Sequence, residues 1–294
     1  MKKFVLIPDS FKGTMSSQII CDIMARQIRD HYPDADIRPI PVADGGEGSV
    51  DCFLAALGGQ RIELPVAAPY FEQMTAFYGL LDGGTTAVVE MAACAGLPLV
   101  DGRKDPTKTT TYGVGQLILD AARRGAKKII VGLGGSATND GGCGAAAAAG
   151  VRFYDEADTE FVPVGGTLHQ IARIDMTGRA PVLDGVEIVA MCDIDNPMFG
   201  PAGAAEVFGP QKGANPDTVR LLDAGVAHLA DVIKRDLGKD IALVPGTGAA
   251  GAMGAGVLAF FGAALQMGIE TVLDTVHFEQ AAKNADMVFT GEGK

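Results

Sequence analysis

Carboxylates beside glycines recur along this chain, each soon after an apolar run. Asp44 and Glu47 lie in residues 43–48 (ADGGEG), Asp140 in 134–142 (GGSATNDGG), Asp193 and Asp195 in 192–197 (CDIDNP), and Glu292 in 290–293 (TGEG). Oxygen ligands of this kind suit Mg2+, which makes Asp44, Glu47, Asp140 and Glu292 candidate metal ligands. Aspartate is also a good turn former and helix cap, and each of these residues has that second reading. Asp193 and Asp195 are two apart. They share a face if the preceding strand continues, and do not if Asn196–Pro197 turns the chain. Either is suited to take a proton from a substrate hydroxyl. Lys12, in 8–13 (PDSFKG), is a lone cation fit for a phosphate or carboxylate, or an ordinary solvated lysine.

The stretch that organises these groups is 127–150, KKIIVGLGGSATNDGGCGAAAAAG. A β-branched apolar run predicts a strand, the glycines a loop, and the alanines a helix. Strand, glycine loop and helix together aim backbone N–H groups at an anion. Gly134 and Gly135 allow close approach to the main chain, and Ser136, Thr138 and Asn139 add side-chain donors. The alternative is a tight, capped strand-to-helix turn.

Around this stretch the pattern predicts an α/β fold. A buried strand at 3–7 precedes a helix capped by Ser16 or Ser17, with Ile19, Ile20, Ile23, Met24 and Ile28 on one face. The segment 36–42 carries two prolines and reads as an edge strand, and a helix at 49–57 stops at Gly58. From about residue 60 the texture becomes that of an antiparallel or mixed sheet, marking a second domain. Helical spacing is clearest over 217–237; an apolar helix is expected near 256–267, a helix at 278–284 and a strand at 286–289. The polar turns after these strands would gather at the carboxyl ends of a sheet, where α/β proteins bind ligands.

The chain has 294 residues and a net charge of −12, with no basic cluster dense enough for nucleic acid. Its five cysteines lack CxxC spacing and its four histidines lack HExxH spacing, so they are expected to be reduced and packed, without zinc. No apolar run has the length of a membrane span and no signal-peptide core is present, which predicts a cytoplasmic protein acting on small molecules.

Two chemistries fit. One is phosphoryl transfer, by positioning and charge neutralisation, without a GxxxxGK[ST] loop. The other is an NAD(P)-dependent oxidoreductase, because residues 132–137 match G-x-G-x-x-A and Asp155 follows a later strand. Further glycines and Asn139–Asp140 interrupt the place where a dinucleotide-binding helix should begin. Ser10 lacks the setting of a nucleophile elbow.

The motifs PDSFKG, ADGGEG, GGSATNDGG, CDIDNP, FGPQKGA (208–214), PGTGAAGAMG (245–254) and TGEG, in this order, resemble the bacterial glycerate kinase family, the class forming 2-phosphoglycerate. The resemblance implies ATP-dependent phosphorylation of D-glycerate with Mg2+. It implies a Rossmann-like parallel-sheet domain built from both chain ends (1–62 and 284–294), with a larger mixed α/β domain (63–283) inserted in it. Members of the family continue past TGEG with an arginine where Lys294 stands. Carried onto this chain, Lys12 and 134–139 contact phosphates or the glycerate carboxylate. Ser10 and Asp44 contact substrate or nucleotide, Asp44, Glu47 and Glu292 serve the metal or substrate hydroxyls, and Asp193 is the base with Asp195 second.

Overall fold

The computed structural model describes all residues except 12, 13, 44, 47, 293 and 294. In chain order the strands are β1 (Lys3–Pro8), β2 (Asp36–Pro39), β3 (Gln60–Ala67), β4 (Gln73–Leu81), β5 (Thr86–Glu90), β6 (Lys128–Gly132), β7 (Arg152–Tyr154), β8 (Glu160–Phe161), β9 (Arg173–Asp175), β10 (Glu187–Met191), β11 (Ala264–Gln266) and β12 (Met287–Gly291). The α-helices are α1 (Ser17–His31), α2 (Ser49–Leu57), α3 (Ala92–Ala95), α4 (Tyr112–Arg123), α5 (Cys143–Ala148), α6 (Ala204–Phe208), α7 (Pro216–Leu237), α8 (Ala249–Gly256), α9 (Gly268–Thr275) and α10 (Phe278–Ala282).

Three sheets result. The two chain ends meet in a three-stranded parallel sheet, β12-β1-β2, with Val5 opposite both Val288 and Arg38. Proline lacks the N–H a central strand needs, and Pro39 lies on the edge strand β2 as its chemistry demands. A six-stranded mixed sheet has the order β11-β10-β6-β5-β4-β3, parallel from β11 to β5 and antiparallel beyond. A small antiparallel sheet, β8-β7-β9, stands apart from both.

One face of the six-stranded sheet contributes Ile129 and Val131 to a core that also holds Leu117 and Ile118 of α4 and Leu229 and Ile233 of α7. Each such side chain contributes roughly 1.5–3 kcal/mol on burial. The opposite face buries Val88, Ile130 and Met191 with Val5 and Ile7 of β1, Val50 and Phe53 of α2, and Val272 of α9. The two sheets therefore share a core, with α2 and α9 packed between them. Helix α5 needs more than the propensity of its alanines. It lies against α4 so closely that a Cβ on Gly115 would stand 2.2 Å from the Ala145 carbonyl oxygen. Helix α7 begins with the Asn215 side chain accepting from the Thr218 amide and ends at Gly238 with φ of 68°.

Two expectations need correction here. The face expected of α1 holds only in part: Ile20 is buried and Met24 and Ile28 pack against Leu6, Cys21 and Ala25, but Ile19 and Ile23 are exposed. The apolar stretch after residue 256 is helical only to Phe261. Gly262, with φ of 66°, then turns the chain so that 264–266 pair with β10 as a parallel strand.

Candidate functional site

Glu90, Gly132 and Met191 pair in register, which aligns the carboxyl ends of β5, β6 and β10. The loops leaving β6 and β10 start side by side in a cleft; the loop after β6 forms one wall, and the segments carrying Ser10, Ser16–Ser17, Val42–Ala43 and Gly45–Gly46 form the other. A cavity of about 250 Å3 is lined by Leu133–Ser136, Met191–Ile194, Phe208, Gln211, Lys212, Ala249 and Ala250. A larger one, about 950 Å3, touches the same Gly134 and Gly135 and is otherwise bounded by Ser10, Ser16–Gln18, Val42, Ala43, Gly46, Gly48 and residues of α2. The glycine pair is the ridge between the two cavities.

The contact between walls is backbone on backbone. The Gly134 amide donates to the Gly45 carbonyl at 3.1 Å. A Cβ on Gly134 would stand 2.7 Å from the Gly46 Cα, and one on Gly132 would stand 2.3 Å from the Gly45 carbonyl oxygen. Gly134 thus joins the walls and is not a free anion donor. Among the described residues the amides of Gly135 and Ser136 have no hydrogen-bond partner, so they are the donors this loop offers.

Beyond Ser136 the loop dives inward. Ala137 is held by Ala95 and by the Thr109 hydroxyl, and Thr138 and Asn139 are fully buried and line neither cavity. Among the described residues the Thr138 hydroxyl and both polar atoms of the Asn139 side chain have no partner. The expectation that these two residues face a phosphate from the cleft wall is not met by their position.

Asp140 differs too from its expectation as a metal ligand. It is fully buried and accepts from the Thr111 amide and hydroxyl and from the amides of Gly142 and Gly144, at 2.7–3.2 Å. The Thr111 hydroxyl in turn accepts from the Ala145 amide at 2.9 Å. The N-terminus of α5, read from sequence as an anion site, is therefore capped by the protein itself. Burial pushes the Asp140 carboxyl above the usual carboxylate range, and its hydrogen bonds from Thr111, Gly142 and Gly144 pull the other way.

Asp193 lines the smaller cavity, and its Oδ1 accepts from the Gly268 amide at 2.7 Å, at the start of α9. Asp195 is exposed, as Asp193 is, but lines neither cavity, so the two do not share a face toward the cleft. Ser10 lines the larger cavity, its amide donating to Asp9. Glu292 is exposed past the end of β12 and lines neither cavity. The expectations for Lys12, Asp44 and Glu47 lie outside the described residues. Among the described residues no three His, Cys, Asp or Glu side chains converge as a metal cage.

Two groups went unmarked by sequence reasoning. Glu90 is buried and accepts from the amides of Gly48 and Val50 at the start of α2 (2.5 Å for Val50), tying the six-stranded sheet to the loop 43–48. A carboxylate closing the apolar run TAVVE was its only signal. Lys212 is almost completely buried, with its Nζ donating to the Thr138 carbonyl at 2.6 Å. It sits in the 3-10 turn Pro210–Lys212. Burial pushes its ammonium down to about 7, against the opposing pull of the Asp140 charge. Cys52, in the larger cavity, is pushed up to about 12 by burial, so it is no activated nucleophile.

The dinucleotide alternative loses its geometry. A long loop separates β6 from α5, and Asp155 follows β7 in the small separate sheet, where it lines a different cavity.

Fold and cleft together fit an α/β phosphotransferase: a glycine ridge and backbone donors at the carboxyl ends of parallel strands, with a carboxylate and a lysine on one cavity and no activated thiol among the described residues. The glycerate kinase family model matches residues 4–294. The chain is 45% identical to a glycerate kinase of Bacillus subtilis, covering 99% of this chain and 77% of that one. It is 43% identical to a glycerate 2-kinase of Escherichia coli, over 99% and 77% of the respective lengths. A crystal structure of a Salmonella typhimurium LT2 protein, provisionally described as glycerate kinase 2, superposes with a TM-score of 0.96 at 42% identity, covering all of this chain and 79% of the other. The chain belongs to the glycerate kinase family. No helix of the described residues is long and apolar enough to cross a membrane.

Proposed function

We propose that the chain transfers the γ-phosphoryl group of ATP to the 2-hydroxyl of D-glycerate, in the cytoplasm. Family membership supports kinase activity, and the Escherichia coli relative named glycerate 2-kinase supports the choice of hydroxyl. The observation that carries the reading is the placement of Asp193 and the Gly135–Ser136 amides on one small cavity beside a larger one. The small cavity suits a three-carbon acid and the large one a nucleotide, whose phosphates would reach across the ridge at Gly134–Gly135.

Asp193 takes the proton of the attacking hydroxyl. Its carboxylate is held in place by the Gly268 amide, which leaves Oδ2 for that proton. The ridge amides then face the phosphoryl oxygens, and catalysis is chiefly positioning and charge neutralisation. Asp195, second candidate for the base, lines neither cavity and is not given this role.

The described carboxylates do not fit a dedicated magnesium cage: Asp140 is occupied by the cap and Glu292 lies outside both cavities. Mg2+ is proposed to arrive bound to ATP, where one or two protein carboxylates suffice, and no step is drawn through it. We place the domain boundaries at 1–62 with 284–294, and 63–283. Limited proteolysis should cut at Gly58–Gly59 and near residue 284 before it cuts within the six-stranded sheet, whose edge strand β3 begins at Gln60.

The test is ADP release with Mg·ATP and D-glycerate, the product read by phosphorus NMR. Phosphate on the 2-hydroxyl is the expected result; phosphate on the 3-hydroxyl would keep the kinase and discard the regiochemistry.

A further inference from the structure

Lys212 presents a physical problem that the resting cleft does not solve. An ammonium group is strongly hydrated and is seldom buried unless paired with a negative charge. Here it is 1% exposed, and among the described residues no carboxylate forms an ion pair with it; its one hydrogen bond goes to the neutral Thr138 carbonyl. The surroundings make this placement deliberate. Lys212 follows Pro210 in a 3-10 turn, and Gly213 next to it has φ of 97°, a conformation that side chains resist. A Cβ there would stand 2.7 Å from the Lys104 backbone. The Thr138 carbonyl is itself clamped from behind by Gly251, where a Cβ would stand 2.0 Å away. Gly251 lies in a left-handed turn with Ala250 and Ala252, at φ of 55°, 68° and 64° for 250–252. Alanine adopts such angles at a cost, and strain of this kind gathers at functional sites. The lysine thus reaches the cleft on a rigid mount, on the same cavity as Asp193 and the Gly135–Ser136 amides.

We propose that Lys212 is a catalytic residue whose ammonium group binds the phosphoryl group in transit, on the acceptor side of the ridge. The inference rests on the glycerate kinase reading above. As the bond between the γ-phosphorus and the bridging oxygen of ATP breaks, its electron pair stays with ADP. A bond forms from the glycerate 2-oxygen to phosphorus, and the hydroxyl proton passes to Asp193. The phosphoryl oxygens move toward the small cavity, where the Lys212 charge meets them. Lysine serves phosphate well as a point charge, and its lowered proton affinity in the empty cleft is what an incoming dianion would reverse. The ligand that should feel it most is therefore the phosphorylated product.

The experiment compares D-glycerate and 2-phosphoglycerate binding, by calorimetry, in wild type, K212M and K212Q. Methionine keeps the volume of the stem, and glutamine keeps a neutral donor for the Thr138 carbonyl. Both variants should bind 2-phosphoglycerate about 100-fold more weakly, the loss typical of a charged hydrogen bond. D-Glycerate affinity should stay within about threefold, which also certifies the fold. Turnover should fall with product affinity. Equal weakening for both ligands would give Lys212 to the acceptor carboxylate or to the fold and overturn the proposal, as would product affinity unchanged in both variants. A wild-type chain that binds neither ligand would sink the glycerate reading itself.

Discussion

The two walls of the cleft are built on opposite principles. The wall from Leu133 to Gly144 is almost entirely buried, and its polar groups look inward: Asp140 caps α5, and Thr138 holds Lys212. In the opposite wall Asp9, Ser10, Phe11, Met15 and Gly46 are half-buried, and two anchors reach them from elsewhere. The Ser17 hydroxyl bridges the Pro8 carbonyl and the Val42 amide, and Glu90 reaches over from the other sheet to hold the start of α2. A rigid wall can preorganise donors for a transition state. Polarity of composition therefore says little about which residues meet the substrate; the direction each polar group faces decides it.

Asp193 and Asp140 are the sharpest pair for testing that contrast. Asp193→Asn should lower turnover about a thousandfold, while thermal melting stays near wild type because Asn still accepts from the Gly268 amide. Near-normal turnover would remove Asp193 from the base role. Asp140→Ala should do the reverse. It strands buried donors on Thr111, Gly142 and Gly144, and urea denaturation should show a loss of about 3 kcal/mol or more. The folded fraction should keep its KM for ATP. Gly134→Ala attacks the contact between walls: with its Cβ 2.7 Å from the Gly46 Cα, the walls must part, and turnover should fall about 10–100-fold. Unchanged kinetics would mean the gap is not critical.

Lys212 adds a pH signature to the buried wall. Its folded value, about 7, lies below the ordinary lysine value of 10.5. Between these values the unfolded chain binds the extra proton, so wild-type stability rises with pH there, by up to about 1.4 kcal/mol per unit. Below pH 7 both states are protonated and the full cost of burying the charge remains. K212M should accordingly melt above wild type near pH 6.5, with the difference shrinking toward pH 9.5; a constant difference would refute the burial argument. The smallest effect belongs to Asp195→Asn, exposed and outside both cavities, which should leave turnover within about threefold of wild type.

Much of the architecture was legible. Apolar runs, prolines and helix-stopping glycines located β1, the edge strand β2, α2 and α7, because those signals are local. Membership in the family was legible from motif order. The site was legible only in part. GGSATNDGG shows donors and acceptors together, but the sequence does not say that the chain turns inward after Ser136, which converts Thr138 to Asp140 from ligands into foundations. Lys212 lies in FGPQKGA, but nothing local marks it as buried; it is held by Thr138 of the 134–144 loop and shares a cavity with Ala249 and Ala250, residues far apart in the chain. Glu90 escaped notice for the same reason, since the helix it caps precedes it by some forty residues.

The meeting of Gly132 and Gly134 with Gly45 and Gly46 sets limits on redesign of this enzyme. Where side chains line a pocket, its width can be trimmed or enlarged one methylene at a time. Along this seam there are no side chains to trim, and adding one carbon already exceeds the available space. Selection for longer or bulkier hydroxy acids would therefore find no foothold at the ridge. It would have to work from the opposite rim, at Phe208 and Gln211, where the small cavity is bounded by replaceable groups.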